Sequence, residues 1–214
     1  MTKESERITV IKDLKDIRCL TVSATGHLVG VPGDKLESYA KAQDEIKRLI
    51  EKTCCFTGHR PQFCVHSEAE IKGLLREKID QAIEDGYTTF ITGMACGVDI
   101  WAAEIIIDLM KDDDQLKLIC AVPFKGMENR FSPEWQERYR NVLDHASDIR
   151  YICPRHNSWC YKARNQWMVD YSTRVIAVYN GKSGGTKQTI EYAKDRGKEV
   201  VLIDERQVIY DKDN

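Results

Sequence analysis

Three segments of this 214-residue chain combine glycine with polar or cationic side chains, and each follows directly on a short apolar run. They are residues 57–61, 92–99 and 180–186. Glycine lets backbone N–H groups approach an anion without an intervening Cβ. The second and third segments also lead into helical patterns, whose first turns carry unpaired N–H groups and a partial positive charge. This combination predicts a phosphate-bearing ligand. The ligand-contact candidates in these segments are Thr57, Gly58, His59, Arg60, Gly93, Gly97, Asp99, Gly184, Gly185 and Thr186.

A simpler explanation exists for each segment taken alone, because glycines also permit tight strand-to-helix turns. None of the three carries a G-x-x-x-x-G-K-[ST] or a G-x-G-x-x-G pattern. In an open parallel sheet, however, ligands bind beyond the carboxyl ends of the strands. The three segments are expected to meet at that edge, and their coincidence there favours a ligand site.

Two arginines are the cationic partners expected for such a ligand. Arg60 lies in the first segment, and Arg164, followed by Asn165, lies in a helical pattern before the fifth apolar run. For both arginines the alternative is a solvated surface side chain. Asp99 falls in the first turn of a helix, where it either stabilises the helix dipole or accepts ribose hydroxyls. His59 is either an acid–base group or a hydrogen-bond donor to phosphate.

From residue 53 onward, strand and helix patterns alternate. The helices are marked by apolar residues at helical spacing, by a capping box that begins at Ser67 and by a Ser-Pro start at Ser132. The strands are nearly continuous apolar runs, which is typical of parallel sheets covered on both faces. We predict a Rossmann-like, doubly wound α/β fold with a mainly parallel sheet. The predicted strands are 53–57, 87–92, 116–122, 149–152, 174–179 and 199–203, and the helices after the third strand include 159–172 and 186–196.

The first 52 residues differ from the rest. Short strand candidates cover residues 7–11, 17–22 and 27–31, and a charged amphipathic helix is predicted over 34–51. We interpret residues 1–52 as an appendage, either a small β-meander or a partner-binding arm. Residues 53–214 form the predicted nucleotide-binding domain.

The composition is that of a folded protein with a core. Hydrophobic residues make up 42% and charged residues 31% of the chain, which excludes disordered and collagen-like classes. The net charge of −2 is less basic than expected for a protein that coats nucleic acid. No apolar run approaches the ~18 residues of a membrane span, and the polar, acidic first residues argue against a signal peptide. We expect a cytoplasmic protein.

The eight cysteines are expected to be reduced, since none shows C-x-x-C spacing and several lie in apolar runs. Cys153, His156 and Cys160 are close enough in sequence to be metal ligands. A structural zinc site needs four ligands, and no fourth is evident. We therefore expect no bound metal.

Taken together and in order, the motifs resemble those of a known group. They are TGHRP (57–61), GMACGVD (93–99), WAAE (101–104), PFKG (123–126), RNQWMVD (164–170) and GGT (184–186). Residues 53–204 resemble the SLOG superfamily, the Rossmann-like group that contains the DprA (Smf) proteins and the LOG hydrolases, and look most like its YpsA-type family. The resemblance implies a nucleotide or nucleotide-derived ligand, such as an ADP-ribose- or NAD-like molecule, and a homodimer. It also adds Asp170 to the ligand-contact candidates Arg164 and Asn165.

The chain departs from the LOG enzymes at the last motif. LOG enzymes carry P-G-G-x-G-T-x-x-E, in which the Glu serves hydrolysis of an N-glycosidic bond. Residues 184–186 lack the leading Pro and the intervening residue, and Glu191 lies five rather than three residues after Thr186. Two extra residues turn a helical side chain by about 200°, so Glu191 is not expected to take that role. Met127 and Phe131 stand where Gln and Trp are expected in the YpsA-type family.

Three functions follow as hypotheses. The first is a module that binds or senses a nucleotide without consuming it, because several phosphate-friendly loops occur without a complete catalytic set. The second is a nucleotide-processing hydrolase with Glu104, Asp99 or Asp170 as its carboxylate. The third is a DprA-like nucleic-acid handler, which the near-neutral charge disfavours. Trp159, Tyr161 and Trp167 are expected to be core or rim residues, with base stacking as the alternative.

Overall fold

Six parallel strands form a single sheet, in the order β4-β3-β2-β1-β5-β6. The computed structural model describes residues 36–207 of the chain. The strands are β1 Thr53–Thr57, β2 Thr89–Thr92, β3 Lys117–Val122, β4 Asp148–Tyr151, β5 Arg174–Tyr179 and β6 Glu199–Asp204. The helices are α1 Leu36–Glu51, α2 Glu68–Glu84, α3 Val98–Leu109, α4 Pro133–His145, α5 Cys160–Asp170 and α6 Gly185–Asp195.

The described residues fall into two units that divide between Glu51 and Lys52. Helix α1 belongs to the first unit, and the sheet with the other five helices belongs to the second. The strand candidates at 7–11, 17–22 and 27–31 lie outside the described residues. The interpretation of the first 52 residues as an appendage therefore stays a prediction.

The central strands are buried on both faces, as their continuous apolar runs predict. Every residue of β1 and β2 is buried, and so are the first five residues of β5. Neighbouring helices contact one another along α2, α3 and α4, and along α5 and α6, which covers the two faces as right-handed crossovers require. The Rossmann-like, doubly wound α/β fold is confirmed.

Local sequence signals explain where the helices begin and end. The capping box at the start of α2 forms, with the Ser67 hydroxyl accepting from Glu70 N (3.3 Å) and the Glu70 carboxylate accepting from Ser67 N (3.0 Å). Gly86 follows the C-cap of this helix at φ +91°, a conformation that glycine adopts without penalty. Ser132 is the N-cap of α4 with Pro133 behind it, although its side chain makes no capping hydrogen bond.

The strand order places the glycine-bearing segments together. The chain runs from β1 outward to β4 and then returns to β5 on the other side of β1, so the order reverses between β1 and β5. Cys55 of β1 lies in register with Ile91 of β2 and Val175 of β5. Ligands of open α/β sheets bind in the crevice at such a reversal. The segments that follow β2, β1 and β5 end at that crevice.

Two further properties concern the described residues only. No helix among them combines the length and the apolar character that a membrane crossing requires. The seven cysteines within 36–207 are free thiols.

Candidate functional site

A cavity of about 670 Å³ opens at the carboxyl edge of the sheet. This is the size range of small-molecule sites in proteins. We call it the first cavity. Its walls come from the segments after β1, β2 and β5, from α5 and from the turn after β3. The lining residues are Phe56, Thr57, Gly58, His59, Arg60, Phe63, Ala95, Cys96, Asp99, Met127, Phe131, Tyr161, Arg164, Asn165, Asn180, Lys182, Ser183, Gly184, Gly185 and Thr186.

Glycines bring the β1 segment against the start of α3. A Cβ at Gly58 would overlap the Val98 side chain. Gly97 is the N-cap of α3 at φ +92°, and a Cβ there would lie 2.6 Å from the carbonyl oxygen of His59. That same carbonyl accepts a hydrogen bond from Val98 N (3.4 Å). The two glycines therefore allow a close approach of two loops at the edge of the cavity.

A buried ion pair holds the β2 segment in place. Arg164 reaches from α5, and its Nη1 donates to the Gly93 carbonyl oxygen and to Asp99 Oδ2 (3.2 Å). The same Asp99 oxygen also accepts a hydrogen bond from Ala95 N (3.2 Å). Both charged side chains are 7% exposed. A Cβ at Gly93 would overlap the guanidinium, so this position requires glycine for packing.

Burial acts on both members of this pair. It raises the pKa of the Asp99 carboxyl, an effect that the Arg164 charge and the Ala95 N–H oppose. Burial likewise lowers the pKa of the Arg164 guanidinium, while Asp99 opposes that shift. Nε of Arg164 is buried and has no hydrogen-bond partner among the described residues. Arg164 thus engages protein groups and also lines the cavity, and its direct contact with a ligand stays a prediction.

The first turn of α6 forms the opposite wall. Gly184 is its N-cap and supplies no capping side chain, and Gly185 and Thr186 follow at the cavity surface. Asn165 Nδ2 donates to Thr189 Oγ1 (2.9 Å), which in turn donates to the Gly185 carbonyl (2.8 Å). This chain of hydrogen bonds ties α5 to the first turn of α6. The unpaired N–H groups of that turn are available to an anion, because no capping side chain competes for them.

His59 stands between the segments after β1 and β5. Its ring stacks on Tyr179 with centroids 5.8 Å apart, and its Nε2 is buried without a hydrogen-bond partner among the described residues. Burial lowers the pKa of His59 from its ordinary value of 6.5, and the Lys182 charge adds to that effect, whereas Glu205 opposes it. The neutral imidazole is therefore favoured, and it can either donate or accept one hydrogen bond at this wall.

Two cations at the cavity are not neutralised by any carboxylate within residues 36–207. Arg60 and Lys182 are exposed, line the cavity and form no ion pair with another residue of 36–207. Asp99 is the one carboxylate among the described lining residues, and it is paired with Arg164. The electrostatic balance of the accessible surface therefore favours an anion.

The structure does not bring every candidate to the cavity. Asp170 is exposed at the far end of α5, where it accepts a hydrogen bond from the Tyr192 hydroxyl (3.0 Å) and lies 3.7 Å from Arg196. Gly93 and Gly97 are buried behind the wall and do not line the cavity. The remaining ten candidates line it.

The hydrolysis candidate Glu104 and the excluded Glu191 are also engaged elsewhere. Glu104 accepts hydrogen bonds from Arg138 (2.7 Å) and pairs with Lys72 (2.7 Å) in a network between α2, α3 and α4. Glu191 lies on the exposed surface of α6, 3.7 Å from Lys187. Neither lines the cavity.

Several lining residues lie outside the set of predicted ligand contacts. Phe63 follows the segment after β1 and Lys182 lies in the segment after β5. Their closeness in sequence to predicted ligand contacts was the signal that could have identified them. Tyr161 was expected at the core or rim, and it lines the cavity from α5. Met127 and Phe131 come from a turn after β3 whose return to the site depends on the tertiary fold.

The possible metal ligands do not assemble into a cluster. No group of three or more His, Cys, Asp or Glu side chains within 36–207 is arranged to hold a metal ion. Cys153 and Cys160 are buried, whereas His156 is exposed and packs edge-on against Phe124 at 4.8 Å. The expectation of a metal-free protein stays a prediction.

Comparison with known proteins agrees with this architecture. The YpsA family model, described as the YspA SLOG family, matches residues 54–208. UPF0398 proteins of Bacillus thuringiensis (strain Al Hakam) and Bacillus cereus (strain AH187) are each 31% identical to the chain over 131 residues, which is 60% of this chain and 71% of the relative.

Solved structures of DNA processing protein A are similar in fold. The Streptococcus pneumoniae protein superposes with a TM-score of 0.52 at 17% identity, covering 72% of this chain. The match spans half of the length of that protein. The Helicobacter pylori protein, described for its single-stranded DNA binding mode, gives a TM-score of 0.50 at 18% identity over 78% of this chain and 75% of its own. At these identities the likeness concerns the fold alone.

Proposed function

The chain belongs to the YspA SLOG family, and we propose that it binds a nucleotide or nucleotide-derived ligand in the first cavity, as a sensor rather than as an enzyme. The observation that carries the proposal is the coincidence, in one cavity, of a glycine-capped helix N-terminus with two cations that no described carboxylate neutralises. Anions are stabilised by helix N-termini and by nearby positive charge.

The phosphate is best accommodated at the first turn of α6. Gly185 leaves open space there, since a Cβ added to it would meet only Asn165 Nδ2 at 4.0 Å. Lys182 on the preceding loop and Arg60 across the cavity supply positive charge on two sides. The nucleoside would then extend along the wall formed by His59, Phe63 and Tyr161.

Recognition without turnover is supported by the carboxylates. Hydrolysis of a glycosidic bond requires an acidic group that reaches the ligand, and the one described carboxylate at the cavity is held by Arg164 and Ala95 N. The hydrolase alternative needs Asp99 to leave that pair. Its release would leave a buried arginine uncompensated, which is strongly unfavourable.

A thermal-shift screen with AMP, ADP-ribose and NAD tests the proposal. A ligand present at 100 times its Kd stabilises the folded state by about 2.7 kcal/mol, so binding is readily detected. Chromatography of the same mixtures measures release of the base. We expect a shift with intact ligand recovered. No shift with any of the three would contradict the binding proposal, whereas a shift accompanied by free base would favour the hydrolase.

Single-stranded nucleic acid is the second candidate ligand, because the H. pylori protein of similar fold is described by its single-stranded DNA binding mode. Oligonucleotide phosphates would meet the same helix N-terminus and cations. Fluorescence anisotropy with a labelled single strand, repeated at increasing salt, measures this directly. Each phosphate contact contributes a slope of about −0.7 to log K against log salt. Because the net charge is −2, we expect the protein to bind the single strand more weakly than it binds the nucleotide.

A further inference from the structure

A second cavity of about 480 Å³ lies beside the first. The two cavities share walls, and the shared residues are Arg60, Cys96, Met127, Phe131 and Tyr161. The second cavity continues away from α6 between the loop after β1, the turn after β3 and the start of α4. A ligand held at the first turn of α6 can therefore extend past Arg60 into this space.

The lining of the second cavity is aromatic and cationic. Phe131, Trp135 and Tyr161 form its apolar walls, and Arg60 and Arg130 are its charged residues. Its described lining contains no carboxylate. Arg130 is exposed and, within residues 36–207, is not part of an ion pair. Rings stack on aromatic and guanidinium faces, and an arginine binds phosphate through charge-assisted hydrogen bonds.

Packing behind the cavity holds these aromatic walls in fixed positions. The Phe131 ring packs edge-on against Tyr139 at 5.8 Å, and Tyr161 packs likewise against Phe124 at 5.9 Å. Trp135 lies against another indole, that of α3, at 6.2 Å, and against the Arg138 guanidinium at 4.5 Å. Side chains already held by packing lose little freedom when a ligand binds.

We propose that the second cavity is a subsite for the far half of a two-part ligand. The class of ligand is a nucleotide whose phosphate chain is a bridged pyrophosphate carrying a second ring or sugar. The chain would pass Arg60, with one half in each cavity, and Arg130 would contact the part beyond it. This inference rests on the proposed function, because the first cavity must hold the nucleotide half.

Isothermal titration with AMP, ADP-ribose and NAD tests the subsite, since these ligands share one half and differ in the other. In the parent protein, NAD or ADP-ribose should bind at least about 10-fold more tightly than AMP. Arg130→Gln should remove most of that preference, because a hydrogen bond to a charged group contributes about 10-fold or more in affinity. The same variant should change the affinity for AMP less than about 2-fold. Its exposed position should leave the fold intact.

Arg140→Gln is the matched control. Arg140 is exposed on α4, where its Nε donates to the Gln136 carbonyl (3.1 Å), and it lines neither cavity. This variant loses the same charge outside both cavities and should keep the preference for the two-part ligands. A loss of preference in both variants would assign the effect to net charge and overturn the subsite.

Other outcomes separate this inference from the proposed function. If AMP binds as tightly as NAD and ADP-ribose, or if Arg130→Gln weakens all three ligands equally, the subsite is wrong and the nucleotide site stands. If none of the three ligands binds the parent protein, the proposed function fails and the subsite fails with it.

Discussion

Cationic side chains at the two edges of the sheet differ in their carboxylate partners. At the amino edge, Arg174 pairs with Asp85 (2.6 Å) and Glu199 (2.8 Å), and Lys198 donates to the Ser172 carbonyl (2.6 Å). At the carboxyl edge, two cations of the cavity have no described carboxylate partner. The Arg174 charge is therefore balanced by protein carboxylates, whereas the carboxyl edge leaves positive charge and helix N–H groups for an anion.

Two glycines of the amino edge differ from two glycines of the carboxyl edge in what requires them. Gly86 and Gly197 lie in the turns that lead to β2 and β6, at φ +91° and +66°, with no atom within 4 Å of an added Cβ. They serve the backbone turn alone. At the carboxyl edge, neighbouring side chains already occupy the space that a Cβ would need: Val98 at Gly58, and Arg164 at Gly93. Backbone geometry explains the first pair, and close packing at the cavity wall explains the second.

The largest expected effect comes from removing an arginine at each edge. Arg164→Ala leaves Asp99 as a buried carboxylate without a counter-charge, and we expect a loss of about 3–5 kcal/mol in the free energy of unfolding. Arg174→Ala leaves Asp85 and Glu199, whose side chains are 39% and 52% exposed. Water solvates them, so the loss should be clearly smaller. Urea unfolding of both variants measures the difference.

A double variant identifies the cause of that loss. Asp99→Asn combined with Arg164→Ala removes both charges, and it should recover part of the stability that Arg164→Ala loses. If the double variant is less stable than the single one, the buried charge is not responsible and the packing of the arginine side chain is.

A smaller effect is expected from the glycines. Gly93→Ala inserts a methyl group into the Arg164 guanidinium and should cost about 1–3 kcal/mol through overpacking. Gly86→Asn is its counterpart at the amino edge, where asparagine tolerates the left-handed conformation and the surrounding space is open. It should be close to neutral. Thermal unfolding measures both variants. An equal loss of stability in the two would show that close packing does not distinguish Gly93 from Gly86.

The smallest effect is a pH dependence from His59. Burial lowers its pKa below 6.5 in the folded state, so the unfolded state binds more protons between the lowered value and 6.5. Stability should therefore fall as the pH drops below about 6.5 and be fully present above it. His59→Gln should flatten this part of the curve in urea unfolding between about pH 5 and pH 8.

The control for that curve is His145→Gln, which removes an exposed histidine from the end of α4. A pH dependence that is the same in the parent and in His59→Gln would show that His59 is not the group responsible.

The fold was readable from the sequence because its signals are local. The apolar runs predict β1 and β5 with the observed bounds, and the capping box places the start of α2. The edge of the sheet that carries the site follows from the parallel order, since loops after neighbouring strands must end together.

The site was only partly readable, because its pairing depends on contacts between distant residues. Arg164 is recognisable as a cation, but its partner Asp99 lies 65 positions earlier in the chain. Asp170 shares a motif with Arg164, yet six residues of helix separate them by about 9 Å along the axis. That rise carries Asp170 towards the amino edge. Phe131 reaches the cavity through a turn that no periodicity describes.

The most direct test of the difference between the edges is nucleotide affinity in two glycine-to-aspartate variants. Gly185→Asp places a negative charge at the first turn of α6, where a Cβ has room. Gly73→Asp makes the same change on the exposed side of α2. No atom lies within 4 Å of a Cβ added at Gly73, and Gly73 lines neither cavity. Isothermal titration with the tightest-binding of AMP, ADP-ribose and NAD should show at least about a 10-fold loss for Gly185→Asp and parental affinity for Gly73→Asp. Parental affinity in a folded Gly185→Asp protein would contradict the assignment of the anion site to this edge.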